Sequence, residues 1–149
     1  MKAINVIRLV LISCILYNLN VLFVLIPYRN KELNQVFNEN LVSIETACDK
    51  GEYYYPKPFV VIKFAPLLEE IAYCQRKVNG FVIVFDQVYW DKVLTKEDRK
   101  QVMMHEMVHC MFDQRHLPDT KHFMAEFFEP ISEKEFKKQT NEYLKNKCS

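Results

Sequence analysis

The sequence predicts an α+β domain, and three observations predict it. Apolar residues recur at helical spacing over about 31–49. Three short runs rich in β-branched and aromatic residues follow between residues 57 and 87, two of them flanking Asn79-Gly80. Two helices with N-terminal capping signals close the chain, over about 96–112 and 133–146. Runs of strands followed by runs of helices imply a mixed or antiparallel sheet of at least three strands packed on helices. The 149 residues fit one such domain.

The first 27 residues stand apart. Lys2 and Arg8 open the segment, and no formal charge occurs from Leu9 to Pro27. That length is about what a membrane-spanning helix needs. Residues 5–27 then read as one uncleaved signal anchor. Alternatively a shorter leader ends near residue 18 and "VLFVLIPY" begins the domain. The first reading divides the chain into a leader, 1–27, and a domain, 28–149. Both readings make it membrane-anchored, secreted or periplasmic, with membrane association through the leader.

In the helix over 31–49, Leu33, Val36, Phe37, Leu41, Ile44 and Cys48 form the apolar stripe, and Gly51 supplies a stop. "KPFVVIKFA" (57–65) reads as a strand after a proline. Residues 70–76 and 81–87 read as antiparallel partners, with Asn79-Gly80 central in a tight turn that needs positive φ. Phe81 to Phe85 are all apolar, as for a strand buried on both faces. Thr95 and Asp98 form a capping-box pair, and Ser132 and Glu135 form another. Phe123, Phe127 and Phe128 read as core.

Composition excludes some functions. Half of the residues are apolar and the formal net charge is +1, so a core is available and no basic stripe suits nucleic acid. Outside the leader lie Cys48, Cys74, Cys110 and Cys148, which allow three full pairings or four free thiols. No Cys-x-x-Cys pair is present, which argues against a zinc ribbon.

The chemistry concentrates in "HEMVHCMFDQRHLPDTKHFM", residues 105–124, which hold every histidine of the chain. His105 and His109 lie four apart on a predicted helix. Their rings are then about 40° apart around the axis and about 6 Å along it, so both can reach one ion. Glu106, one position round, can take a proton from a zinc-bound water without itself being a ligand. The third ligand has several candidates. Asp113 continues the His109 face but lies about 12 Å along the axis from His105, too far for bonds of about 2 Å. His116 follows the predicted helix end, where the chain can fold back. His122, Glu126 and Glu129 come later, and His116 ranks ahead of them.

With these residues in place, the chain resembles the metzincin zinc peptidases, and most closely their matrixin-like branch. His105, Glu106 and His109 match the first half of that family's histidine motif, His116 stands near the place of its third histidine, and Met124 stands eight residues after His116, like the family's methionine turn. "FVVIKFA", "EIAYCQR" and "FVIVFDQVYW" are similar to its last three strands, with Asp86 and Trp90 before the active-site helix. The resemblance covers about residues 57–147. One residue too many separates His109 from His116, and Phe112-Asp113 stand where the family has glycine. An Asp tolerant of left-handed backbone can make the same break. The longer gap is also similar to small uncharacterised zincins of bacteria and phages.

The resemblance implies a metzincin-like zincin domain and a metalloendopeptidase of polypeptide substrates. Zn²⁺ would be held by His105, His109 and His116, Glu106 would act as catalytic base, and Met124 would support the metal structurally. The edge strand over 70–76 would pair with an extended substrate. The rival expectation is a metal-binding or membrane-associated protein on the same fold without activity.

Overall fold

The structure is a computed structural model that describes residues 30–48, 59–127 and 129–148. The leader, the first two residues of the strand expected over 57–65, and Phe128 lie outside the described residues. No described helix is long and apolar enough to cross a membrane. Among the described residues, four helices and a three-stranded mixed sheet form an α+β fold in the order α1 (Lys31–Cys48), β1 (Phe59–Phe64), β2 (Ala72–Lys77), β3 (Gly80–Phe85), α2 (Gln87–Lys92), α3 (Lys96–Phe112) and α4 (Glu133–Lys147).

Helix α1 starts because Asn30 Oδ1 accepts the N–H groups of Glu32 and Leu33 at 2.9 and 3.1 Å, satisfying donors that have no partner within the helix. Its stripe of Leu33, Val36, Phe37 and Ile44 is buried. Asn40 is buried in the same stripe, and its amide donates to Lys100 O of α3 at 3.0 Å. Helix α1 therefore lies along α3 and also packs on α4.

The sheet order is β1-β3-β2, with β1 parallel and β2 antiparallel to β3. Alternation sends Ile62, Phe81, Ile83 and Phe85 into the helix-covered core. Val84 is also fully buried, on the opposite face, whereas Val82 is half-buried. β2 forms an outer edge of the described sheet.

Several expectations need correction. The strands expected over 70–76 and 81–87 run over 72–77 and 80–85. Register pairs Lys77 with Gly80, so Val78-Asn79 are the central turn residues, and neither has positive φ. Gly80 is required for a different reason. A Cβ there would meet Phe59 O at 1.9 Å, because β1 crosses close at that point. Residues 86 and 87 leave the sheet to begin α2. Asp86 caps this helix by accepting Tyr89 N–H at 3.0 Å, and its other oxygen accepts Leu67 N–H at 3.0 Å. These two N–H groups, Leu67's first, hold its carboxyl below its usual pKa. Helix α2 delivers Trp90 into the core, edge-on to Phe85 at 4.8 Å. Phe127 is 76% exposed rather than core, whereas Phe123 is buried. Ser132 caps α4, but the Glu135 carboxylate accepts from Gln139 in place of closing a reciprocal box.

The four cysteines form two disulfides, Cys48–Cys148 and Cys74–Cys110. The first ties the end of α1 to the end of α4. The second ties edge strand β2 to α3, one residue beyond His109.

Candidate metal centre

Helix α3 carries the site and begins with a complete capping box between Thr95 and Asp98. It ends at Asp113, which takes φ 54° and ψ 30°. This is the one non-glycine residue with positive φ among those described. Asp reaches the left-handed region at lower cost than most residues, so it makes the break that glycine makes elsewhere. Beyond it the chain doubles back. Leu117 N–H donates to Met124 O at 2.8 Å within a short parallel bridge, Leu117 to Ala125. That bridge returns His116 to the helix.

The three histidines meet. His105 Nε2 lies 2.9 Å from His109 Nε2 and 3.2 Å from His116 Nε2. Ligands held about 2.0–2.1 Å from one tetrahedral zinc are about 3.3 Å apart, so these separations fit a shared ion. Among the described residues, His105, His109 and His116 form the group that can hold a metal.

The tautomers point the same way. His105 Nδ1 is 2.8 Å from Phe123 O, and His109 Nδ1 is hydrogen-bonded to Gln114 O. A carbonyl only accepts, so each Nδ1 carries the proton. In the neutral ring Nε2 is then a bare lone pair. Two lone pairs therefore face each other at 2.9 Å, an arrangement that a cation between them relieves. A proton is a poor substitute. Burial depresses His105 to a pKa of about 4, partly opposed by Phe123 O and reinforced by His109 and His116. His109 is also lowered, by burial first, with Gln114 O opposing. Carbonyl bonds at Nδ1 are the usual way that ligand histidines are oriented.

Glu106 is buried beside this group. Burial first, and the charge of Glu70 second, raise its pKa to about 8, while Cys74 N–H opposes the shift. Sheet geometry explains that N–H. The Asp86 N–H to Ile71 O bond sets the β2–β3 alternation, which turns the N–H and C=O of Cys74 toward the open edge. An open cleft of about 540 Å³ adjoins the histidines, bounded by Cys74 and Arg76 of β2, by His109 and Asp113, and by Arg115, His116 and Glu126.

The other ligand candidates are engaged elsewhere or excluded from the group. Asp113 Oδ1 pairs with Arg76 at 2.8 Å. His122 Nδ1 accepts Met124 N–H at 3.0 Å, inside a turn closed by Ala125 N–H on His122 O. Glu126 and Glu129 are exposed. Met124 is fully buried in the core. Sequence reasoning missed the carbonyls of Phe123 and Gln114 and the Cys74 N–H. Backbone groups leave no residue-type signal, so only folding reveals them. No family model, curated protein or solved structure matches the chain.

Proposed function

We propose that this chain is a zinc-dependent metalloendopeptidase on a metzincin-like zincin domain. The carrying observation is the convergence of three histidine Nε2 atoms, two with their Nδ1 protons held by backbone carbonyls. His105, His109 and His116 would hold the ion. Zinc, when bound, acidifies water and polarises a carbonyl. Three protein ligands, rather than four, suit a catalytic site more than a closed structural one.

The chain's own groups supply the rest. Glu106 sits one residue from His105 and is buried beside the histidines; the charge of a bound cation would favour its ionised form, which could take a proton and later return it to a leaving amine. The same burial keeps bulk water from the carboxyl. An extended peptide would add to the outer edge of β2, along the cleft that Cys74 and Arg76 share with His109 and His116. Met124, fully buried in the turn that carries Phe123 O, supports the floor of the site. Two disulfides favour an oxidising compartment, in keeping with an exported or membrane-anchored protein.

The test is zinc content of the full chain by elemental mass spectrometry. Wild type, His122→Ala and Asp113→Ala should each carry about one zinc per chain under the three-ligand rule, and His116→Ala should lose most of it. Zinc-loaded wild type should then cleave members of a peptide library, with Glu106→Ala inactive. Zinc binding without cleavage at any pH would leave a metal-binding protein and refute the peptidase. Absence of zinc from all four proteins would remove the metal centre itself.

A further inference from the structure

Each carbonyl that orients a ligand histidine belongs to a residue tied to α4, and the two ties are one helical turn apart. Gln139 Oε1 accepts Phe123 N–H at 3.0 Å, and Gln139 Nε2 donates to Lys121 O at 3.0 Å. One side-chain amide thus clamps the backbone on both sides of His122. Phe123 is the residue whose carbonyl binds His105 Nδ1. Four residues later, Tyr143 Oη donates to Gln114 Oε1 at 3.2 Å. Gln114 is the residue whose carbonyl binds His109 Nδ1. A spacing of four puts Gln139 and Tyr143 on one face of α4.

Other features define that face further. Glu135, one turn before Gln139, accepts from Gln139 Nε2 at 3.1 Å and fixes the amide's orientation. The Tyr143 ring packs edge-on against Phe123 at 5.7 Å and Phe112 at 6.1 Å. The far end of α4 is covalently joined to α1 by Cys48–Cys148. The helix is therefore anchored independently of the loop that it holds.

We infer that α4 sets the geometry of the metal centre, with Gln139 and Tyr143 as positioning residues for His105 and His109 respectively. Neither touches the ion. Each restrains the residue whose carbonyl fixes a ligand's tautomer and ring angle. The inference rests on the metal-centre reading and adds to it a route from the C-terminal helix to two particular ligands. Loss of a direct partner of a ligand histidine weakens metal binding by about 10–100-fold. Gln139 and Tyr143 act one bond further out, so about fivefold each and more than about tenfold together are expected.

The test uses Gln139→Met and Tyr143→Phe, singly and combined, in the full chain. Both keep side-chain volume, and Tyr143→Phe keeps the ring contacts, so each removes hydrogen bonds with little change in packing. Leu144→Val is the control, because Leu144 is a fully buried core residue of the same helix. Zinc dissociation constants are measured by chelator competition at a temperature where every variant is folded. Proton NMR of the zinc-loaded protein reads the imidazole Nδ1–H signals.

Gln139→Met should weaken zinc and move the His105 Nδ1–H signal. Tyr143→Phe should weaken zinc and move that of His109. Leu144→Val should lower the melting temperature and change neither reading. If wild type binds zinc and both variants bind it equally tightly with unmoved signals, the inference fails while the metal centre stands. If Leu144→Val weakens zinc as much as they do, the effect is one of general stability and the inference also fails. If wild type binds no zinc, the metal-centre reading fails and takes the inference with it.

Discussion

Replacing Glu106 by Gln should make the metal-free protein more resistant to alkaline conditions. Glu106 has a pKa of 4.5 in a free chain and about 8 in the fold, chiefly through burial. A raised folded pKa means that the native state holds the proton more tightly than the unfolded state. The stabilisation is complete below 4.5, is lost as pH rises through 8, and then stays lost. A shift of about 3.5 units corresponds to about 5 kcal/mol, of which about 4 kcal/mol falls between pH 5 and 9. His105 works in the opposite sense. Its depressed pKa of about 4 contributes stability that is present above 6.5 and lost as pH falls through 4. That contribution is common to both proteins and cancels in the comparison. The assay is urea unfolding of chelator-treated wild type and Glu106→Gln at pH 5 and pH 9. Wild type should lose about 4 kcal/mol more than the variant over this interval. Saturating zinc should narrow the gap, because a nearby dication favours the ionised carboxylate. A gap under about 1 kcal/mol without metal would refute the account of Glu106 as a carboxyl held neutral by burial.

Three further outcomes follow from the same structure. Asp113→Gly should keep the helix break and zinc content while raising stability by about 0.5 kcal/mol, whereas Asp113→Val should cost more than about 1 kcal/mol; equal unfolding midpoints for the two would contradict the left-handed assignment. Gly80→Ala should cost about 1–3 kcal/mol through the close approach of Phe59 O, and an unchanged midpoint would show that β1 gives way freely. Replacing Cys74 and Cys110 together by Ser opens a link spanning 36 residues and should cost about 4 kcal/mol in non-reducing unfolding, with a loss under about 1 kcal/mol counting against the loop-closure account.

The helices were the most legible part of the fold. The reading of 96–112 coincides with Lys96–Phe112, and 31–49 and 133–146 miss their observed ends by one residue. Each of these helices pairs a local capping signal or stop with an apolar stripe, and both are written in neighbouring residues. Short elements were harder. The sequence run 81–87 hid the start of α2, because Asp86 serves the strand end and the helix cap at once. The Asn79-Gly80 pair marked a hairpin correctly but for the wrong reason. Its glycine answers to β1, which lies some 20 residues earlier and is invisible to a turn rule.

The site divides in the same way. By itself the sequence determined that His105, Glu106 and His109 share one helix, since helical pitch alone brings positions four apart together. It also ruled Asp113 out on reach and ranked His116 ahead of the later candidates for a third ligand, because His116 directly follows the helix end, where the chain can fold back. Tertiary structure decided the return of His116 through the Leu117–Met124 bond, the pairing of Cys74 with Cys110, and the burial that pushes both His105 and Glu106 toward their neutral forms, the first pKa down and the second up. It decided too which carbonyls meet the histidines and that α4 holds them. These are contacts between backbone groups and side chains far apart in sequence. They carry no local pattern, because any residue has a carbonyl and only the packed chain determines where it points.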